Sequence, residues 1–249
     1  MTLAAPDKPV VRGAAPAGSP DRQAAARAVR EMFTAIAPRY DLLNHLLSMN
    51  VDRLWWRRAA RTFKHILAHP DARVLDLCCG TADMALALRR QGTASVFGAD
   101  FSHAMLTLAG RKARGRVKLM EADALALPVG DACFDLVVSA FGFRNLADYD
   151  AGLREILRVL RPAGEVGILD FGEPKGTLGK IYRVYFRRVL PVVGTVISGV
   201  RGPYAYLPAS VERFPDPERM LERMRAAGFS DVSWTPYTFG IAGLYRGRK

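Results

Sequence analysis

The chain has 249 residues, is 50% hydrophobic and 24% charged, and carries 36 Lys and Arg against 24 Asp and Glu for a formal net charge of +12. That composition excludes a disordered or fibrous chain, the length is enough for a sizeable core without staples, and the charge favours an anionic partner, either nucleic acid or the anionic face of a membrane. Three cysteines, two of them adjacent at Cys78 and Cys79, make no disulfide framework, and no Cys/His cluster has zinc-ligand spacing, so the chain reads as reduced, cytosolic and without structural metal.

Residues 1–22 are rich in Ala, Pro and Gly, contain Asp7 and have no apolar stretch of signal-peptide type; they read as a flexible tail preceding a single domain over 23–249. Within that domain, 23–70 reads as an N-terminal helical cap. Its first helix carries Val29, Met32, Phe33 and Ile36 at helical spacing and ends at Pro38. A second helical pattern over 51–68 places Leu54, Trp55, Phe63, Ile66 and Leu67 on one side and stacks Arg53, Arg57, Arg61 and Lys64 on the other. From 72 onward short apolar runs alternate with helical ones. Strands are predicted over 73–78, 95–100, 117–120, 134–139 and 166–170, helices over 84–90, 104–113, 153–160 and 217–227, and a turn at Pro162-Ala-Gly164. This alternation implies a mostly parallel, doubly wound α/β sheet. Runs over 232–238 and 241–245 predict a C-terminal antiparallel strand pair. The segment 175–215 reads as a basic, aromatic insertion, a lid or a membrane-facing surface. The uncharged run 189–200 is shorter than the ~20 residues that a spanning helix needs.

Acids stand at three consecutive strand ends. Asp76 closes the first strand ahead of Cys78-Cys79-Gly80-Thr81-Ala82, Asp100 closes the second, and Asp123 follows the third beside the small Ala124. Ligands of a doubly wound sheet bind beyond these ends, and an acid at the second is placed to accept both hydroxyls of a ribose. Asp123 is placed to accept from an adenine amine. A pyrophosphate would call for a loop with three glycines, whereas this loop has Gly80 alone, and no phosphate-loop Gly-Lys-Ser/Thr follows. S-adenosylmethionine has no phosphate and needs only a close backbone turn. The loop resembles the D-x-G-x-G-x-G motif of class I Rossmann-like methyltransferases, with Cys78 and Ala82 in place of two glycines.

Four further blocks carry a more specific resemblance. Phe33-x-x-Ile36-Ala-x-x-Tyr40-Asp41-x-x-Asn44-x-x-x-Ser48 followed by Trp55, then Phe141-Gly-Phe-Arg144-Asn145, then Arg158-Val-Leu-Arg-Pro162-Ala-Gly164, and finally Tyr204-x-Tyr206-Leu-x-x-Ser210-Val with Phe214-Pro215, occur in the order found in the ubiquinone/menaquinone biosynthesis C-methyltransferase family of UbiE type. The chain resembles that family from about 29 to 247. The resemblance implies S-adenosylmethionine-dependent C-methylation of a polyprenylated quinol, either demethylmenaquinol or 2-polyprenyl-6-methoxyquinol. It implies cofactor contacts from Thr81, Asp100, Asp123 and Ala124 beside Asp76 and Gly80. The family often has Ser just before F-G-x-R-N; here Ala140 stands there, with Ser139 one residue earlier as the corresponding contact. Tyr40, Asn44, Trp55 and Tyr206 are the expected substrate residues. Asp52 stands where many members have His.

A quinol ring carbon becomes nucleophilic when its phenolic proton leaves, so the site must stabilise a phenolate. Arg144 is the expected catalytic cation and Asn145 the group that orients the ring oxygen or a water. The structural alternative for Arg144 is an ion pair with Asp148, four residues on. Asp148, Asp41 and Tyr40 are the candidate proton acceptors. Cys133 precedes its strand at the end away from the acids, which disfavours a nucleophilic role. The rival readings are an RNA or DNA methyltransferase, suggested by charge alone and opposed by the lack of an Asp/Asn/Ser-Pro-Pro-aromatic motif or an appended nucleic-acid module, and a non-catalytic adenosine-binding assembly protein of the quinone pathway. The expected partners are therefore a lipophilic quinol and an anionic membrane surface, without nucleic acid, in a quinone-biosynthesis complex or homo-oligomer; the expected location is cytoplasmic, peripheral to the inner face of the membrane.

Overall fold

The computed structural model describes residues 13, 14, 16, 19, 21–41, 48, 50–172, 174, 179, 185, 188 and 203–249. Helix α1 (Arg22–Ile36) starts at Asp21, whose carboxylate accepts from Ala24 N–H at 2.8 Å, and gives way to a 3-10 turn containing Pro38. The pattern over 51–68 forms two helices, α2 (Val51–Thr62) and the short α3 (Lys64–Leu67), because Phe63 leaves helical geometry at φ −101°, ψ 17°. Phe63 and Leu67 are fully buried, whereas Leu54, expected on the apolar side, is 61% exposed. The buried stripe of α2 runs through Asp52, Trp55, Ala59 and Ala60, and Leu54 falls off its edge.

The alternating segment folds as β1 (Arg73–Leu77), α4 (Asp83–Arg89), β2 (Ser95–Asp100), α5 (His103–Ala113), β3 (Lys118–Glu121), β4 (Phe134–Ala140), α6 (Tyr149–Val159) and β5 (Leu160–Phe171), followed by α7 (Pro203–Arg213), α8 (Pro217–Ala227), β6 (Ser230–Tyr237) and β7 (Ala242–Arg248). The seven strands lie in the order β3-β2-β1-β4-β5-β7-β6. Strands β1 to β5 are parallel, while β7 is antiparallel to both β5 and β6. The predicted C-terminal pair is present, with β7 inserted between β5 and β6. The turn predicted at 162–164 is part of β5. Phe134 pairs with Leu160 and Leu136 with Glu165, so the intervening residues bulge out, with Ala163 at φ 65°.

Alternation along the parallel strands builds two cores. Val74, Val96, Leu136 and Val138 pack against α2, α4 and α5, and Leu75, Leu77, Val137 and Ile168 pack against α6 and α8. The expected cap thus divides. Helix α2 belongs to a core layer, and α1 lies across the ends of the strands, tied by Arg22 to Asp148 at 2.8 Å, by Arg30 to Glu121 at 2.6 Å and by Thr34 to Ser102 at 3.1 Å. Within the stretch expected to be a tail, Ala14 is buried and its N–H donates to Leu146 O at 2.7 Å. Most of the insertion expected over 175–215 lies outside the described residues, as does Asn44. Strand order reverses at β1, which lies between β2 and β4, and the crevice of a doubly wound sheet opens at that switch point.

Candidate active site

The chain leaves β1 through a tight cradle. Cys78, Gly80 and Ala82 all take positive φ, at 58°, 52° and 71°. Gly142 closes on this turn from the end of β4, and a Cβ there would lie 2.4 Å from Cys78 Cβ. The acids hold the cradle in different ways. Asp76 is buried beneath it, with Oδ2 accepting from Ala85 N–H at 2.8 Å and Oδ1 without a partner among the described residues. Burial pushes its carboxyl well above the usual carboxylate range. Asp100, 7% exposed, accepts from Gly80 N–H and Ser102 N–H, each at 2.9 Å. Burial raises its pKa as well, against the lowering effect of those amides. The Thr81 hydroxyl donates to Asp41, and Lys112 joins Asp41 at 2.7 Å and Asp83 at 2.6 Å, clamping the start of α4 to the end of α1's turn.

Two cavities flank this cradle. The smaller, of about 70 Å³, is lined by Asp100, Phe101, Met105, Asp123, Ala124 and Leu125 and roofed by Ala26, Val29 and Phe33 of α1. Asp123 is exposed and accepts from Leu125 N–H at 2.9 Å. The larger, of about 260 Å³, is lined by Tyr40, Asp52, Trp55, Trp56, Arg144 and Tyr206 among others, with Thr81 at its cradle end. Phe33, Tyr40, Cys78, Gly80, Phe141 and Asn145 border both. Asp76 and Ser139 border neither; Ser139 is 1% exposed with its hydroxyl unpartnered among the described residues.

Arg144 is buried on a 3-10 turn, Phe143–Asn145. Its Nη1 donates to Asp170 Oδ1 at 2.9 Å and to the Phe141 carbonyl, its Nε reaches Ser210 at 3.4 Å, and its guanidinium lies 5.2 Å from the Phe171 ring centroid. The partner weighed from sequence spacing, Asp148, instead caps α6 by accepting from Ala151 N–H and pairs with Arg22. Four-residue spacing brings side chains together only on a helix, and α6 begins at Tyr149, after both residues. Asn145 Oδ1 accepts from Tyr206 OH at 3.2 Å, and burial raises the Tyr206 pKa. Trp55, Phe141 and Phe171 form an aromatic wall with centroids 4.6 to 6.2 Å apart, and Trp55 Nε1 donates to Thr238 Oγ1 at 2.8 Å. Trp55 is thus both core and cavity wall. Half-buried Trp56 also faces the larger cavity.

Sequence reasoning missed Asp170, Thr238 and Ile241. Asp170 stands one residue before the end of β5, as Asp76 does in β1, so the strand-end rule could have found it. Asp52, singled out in the sequence only as standing where many members of the family have His, is 4% exposed and lines the larger cavity. Thr238 and Ile241 reach the cavity from the β6–β7 connection, for which no local signal exists.

Burial chiefly, and then the nearby carboxylates of Asp100, Asp76, Asp123 and Asp170, push the Cys78 thiol well up. Asp100 keeps lone pairs to spare for two hydroxyls. The residues present fit S-adenosylmethionine.

A family model described as the ubiE/COQ5 methyltransferase family matches residues 21–249. A demethylmenaquinone methyltransferase from Deinococcus radiodurans is 49% identical, over 92% of this chain and 95% of that protein. One from Thermus thermophilus is 52% identical, over 88% of this chain and all of that protein. A ubiquinone/menaquinone biosynthesis C-methyltransferase UbiE from Geobacter sulfurreducens is 45% identical, over 89% and 88%. Among solved structures, a SAM-dependent methyltransferase from Thermotoga maritima, titled a possible histamine N-methyltransferase, superposes with a TM-score of 0.63 at 20% identity, covering 88% of this chain and 99% of that one. At that identity the likeness speaks for the fold alone.

Proposed function

The chain belongs to the ubiE/COQ5 methyltransferase family, and we propose that it transfers the methyl group of S-adenosylmethionine to a ring carbon of a polyprenylated quinol, with demethylmenaquinol as the preferred acceptor. The observation that carries this reading is the shared wall between the two cavities. An acid-lined nucleoside cavity and an aromatic cavity containing Arg144 meet at Tyr40, Cys78, Gly80, Phe141 and Asn145. The preference for the naphthoquinol follows the names carried by the Deinococcus and Thermus relatives.

S-adenosylmethionine, when bound, supplies an electrophilic methyl on a positively charged sulfur. The residues of this chain do the rest. Asp100 accepts the ribose hydroxyls, Asp123 and Ala124 meet the adenine edge, and Gly80 lets the backbone approach closely. The wall of Trp55, Phe141 and Phe171 holds the quinol ring flat against the cradle. Arg144, held rigid by Asp170 and Ser210, offers its remaining N–H donors to the ring oxygen, and Asn145, oriented by Tyr206, holds that oxygen from the other side. A phenol of pKa ~10 needs an acceptor for its proton at neutral pH. Of the acceptors weighed from sequence, Asp148 and Asp41 line neither cavity, and Tyr40 borders both. Asp52 and Asp83 are the carboxylates that line the larger cavity with Arg144; Asp83 starts α4 at the cradle end, and we assign the proton from the quinol oxygen to Asp52, which stands on α2 beside the aromatic wall. With bound S-adenosylmethionine supplying the methyl to the ring carbon, Asp52 would return its proton to the ring oxygen as the carbon's own hydrogen is lost to solvent and aromaticity is restored, so that one proton is released for each methyl transferred. Much of the catalysis is positioning, with reacting atoms about 3–3.5 Å apart.

A prenylated quinol resides in the bilayer, so this reading makes the protein a peripheral membrane enzyme. Among the described residues no helix is long and apolar enough to cross a membrane. The test is transfer of radiolabelled methyl from S-adenosylmethionine to demethylmenaquinol and to 2-polyprenyl-6-methoxyquinol, side by side, with RNA and DNA as controls. Label is expected in the quinols, foremost the naphthoquinol. Label in nucleic acid alone, or in no acceptor despite S-adenosylhomocysteine binding, overturns the proposal.

A further inference from the structure

We propose that the outer face of α2 and the β6–β7 connection together form the surface by which the protein docks on an anionic bilayer. The inference deepens the quinol reading above and rests on it. Leu54 is 61% and Phe239 81% exposed, the exposed large hydrophobics among the described residues. Single exposed apolar side chains are ordinary, but these two stand on elements that are pinned together. Trp55, next to Leu54, donates its indole N–H to Thr238, next to Phe239, at 2.8 Å, and the Arg58 guanidinium lies 4.2 Å over the Tyr237 ring.

The backbone holds Phe239 out. It sits at φ 57°, ψ 22°, left-handed space that a bulky side chain seldom occupies. A residue serving only to turn the chain there would be Gly or Asn, and Gly240 beside it already has φ 91°. Strain of this kind persists where the surrounding structure holds it in place, as the bonds to Thr238 and Tyr237 do here.

The same two elements wall the larger cavity. Val51, Trp55 and Trp56 face it from α2, and Thr238 and Ile241 from the connection. The protruding Leu54 and Phe239 therefore flank the cavity that takes the quinol ring, so that a ring can enter while its prenyl tail stays in the acyl layer.

Charge identifies the occupant. Arg53, Arg57, Arg58, Arg61 and Lys64 are exposed along α2 and α3. The acid of α2, Asp52, is buried on the opposite side, and 238–242 carries no charge. A cationic face that also projects apolar side chains carries both signals that stable attachment to an anionic leaflet requires. A nucleic acid would be met by the charge alone, and Leu54 and Phe239 would have no use there.

The experiment uses the full chain and sedimentation with vesicles of phosphatidylcholine alone or mixed with phosphatidylglycerol, at low and high salt. The variants are Arg53→Gln/Arg57→Gln/Arg61→Gln and Leu54→Ser/Phe239→Ser. The wild type is expected to bind the mixed vesicles and to release from them in high salt. The triple variant is expected to lose on the order of 100-fold in partitioning. The double variant is expected to lose on the order of 10-fold and to keep its salt dependence. Affinity for S-adenosylhomocysteine and turnover of a tail-less, water-soluble quinol should match wild type in both variants, which shows that they fold. Wild-type binding that ignores lipid charge, or variants that sediment like wild type, overturn the docking surface, as does loss of nucleic-acid or self-association affinity in place of vesicle binding. Failure of the wild type to turn over the tail-less quinol counts instead against the quinol reading, so the two are told apart.

Discussion

The two cavities share a wall and are built on opposite plans. The smaller cavity, proposed for the nucleoside, is made of strand ends and tight turns within 78–125 and 140–147, roofed by α1, and its key carboxylate, Asp100, is fixed by two backbone amides. The quinol cavity is assembled from elements spread between Met32 and Ile241, and side chains hold side chains: Arg144 by Asp170 and Ser210, Asn145 by Tyr206, Trp55 by Thr238. Changes in the first should therefore be read in cofactor affinity, and changes in the second in turnover.

The sharpest separation is expected at Asp52. Asp52→Asn should lower kcat by about 10²- to 10⁴-fold, the usual contribution of a general base, and leave S-adenosylhomocysteine affinity unchanged in calorimetry. A variant within threefold of wild type would remove Asp52 from the chemistry. Next comes Asp100→Ala, which loses charged hydrogen bonds worth ~1.5–3 kcal/mol and so should weaken S-adenosylhomocysteine by roughly 10- to 150-fold; unchanged calorimetric affinity would dissolve the assignment of the smaller cavity. Arg144→Lys is expected to slow methyl transfer by about tenfold with cofactor binding spared, since one ammonium cannot make the forked contacts to Asp170, Ser210 and the ring oxygen together. An equal loss in cofactor affinity would mean that the shared wall does not insulate the two halves.

The smallest effect belongs to Asp76, and it separates charge from contact. Burial raises its pKa well above the usual value, so the folded state keeps the proton to higher pH than the unfolded chain. Its contribution to stability is greatest below the unfolded value near ~3.9 and declines as pH rises above it. Asp76→Asn keeps an acceptor for Ala85 N–H and removes that decline. Its melting temperature should exceed wild type at neutral pH and match it below about pH 4. A melting temperature equal to wild type at neutral pH would show that burying the Asp76 carboxyl carries no charge penalty.

The clustering of acids around the smaller cavity was legible in the sequence for a physical reason. Asp76, Gly80, Asp100 and Asp123 follow or end successive strands, and parallel strands of a doubly wound sheet present their carboxyl ends together. Local order in the chain is therefore spatial order in the site. Even so, Asp76 and Ser139 came out beneath the cavity surface, since a strand residue points to one face or the other and an acid near a strand end can point into the core as readily as out of it. The quinol half was legible only through resemblance, which brought Arg144, Asn145, Tyr40, Trp55 and Tyr206 to one region and left their partners unnamed.

By itself the sequence determined the alternation of strands and helices, the parallel sheet, the antiparallel pair at the end and the acids at the strand ends. These follow from hydrophobic period and turn chemistry, which act over a few residues. Tertiary structure alone decided that β7 inserts between β5 and β6, that Arg144 pairs with Asp170 rather than Asp148, and that Leu54 faces outward. It also decided that Asp52, Thr238 and Ile241 close the cavity with residues more than a hundred positions away. Those outcomes depend on which surfaces meet once the sheet is complete, and no local pattern encodes the meeting.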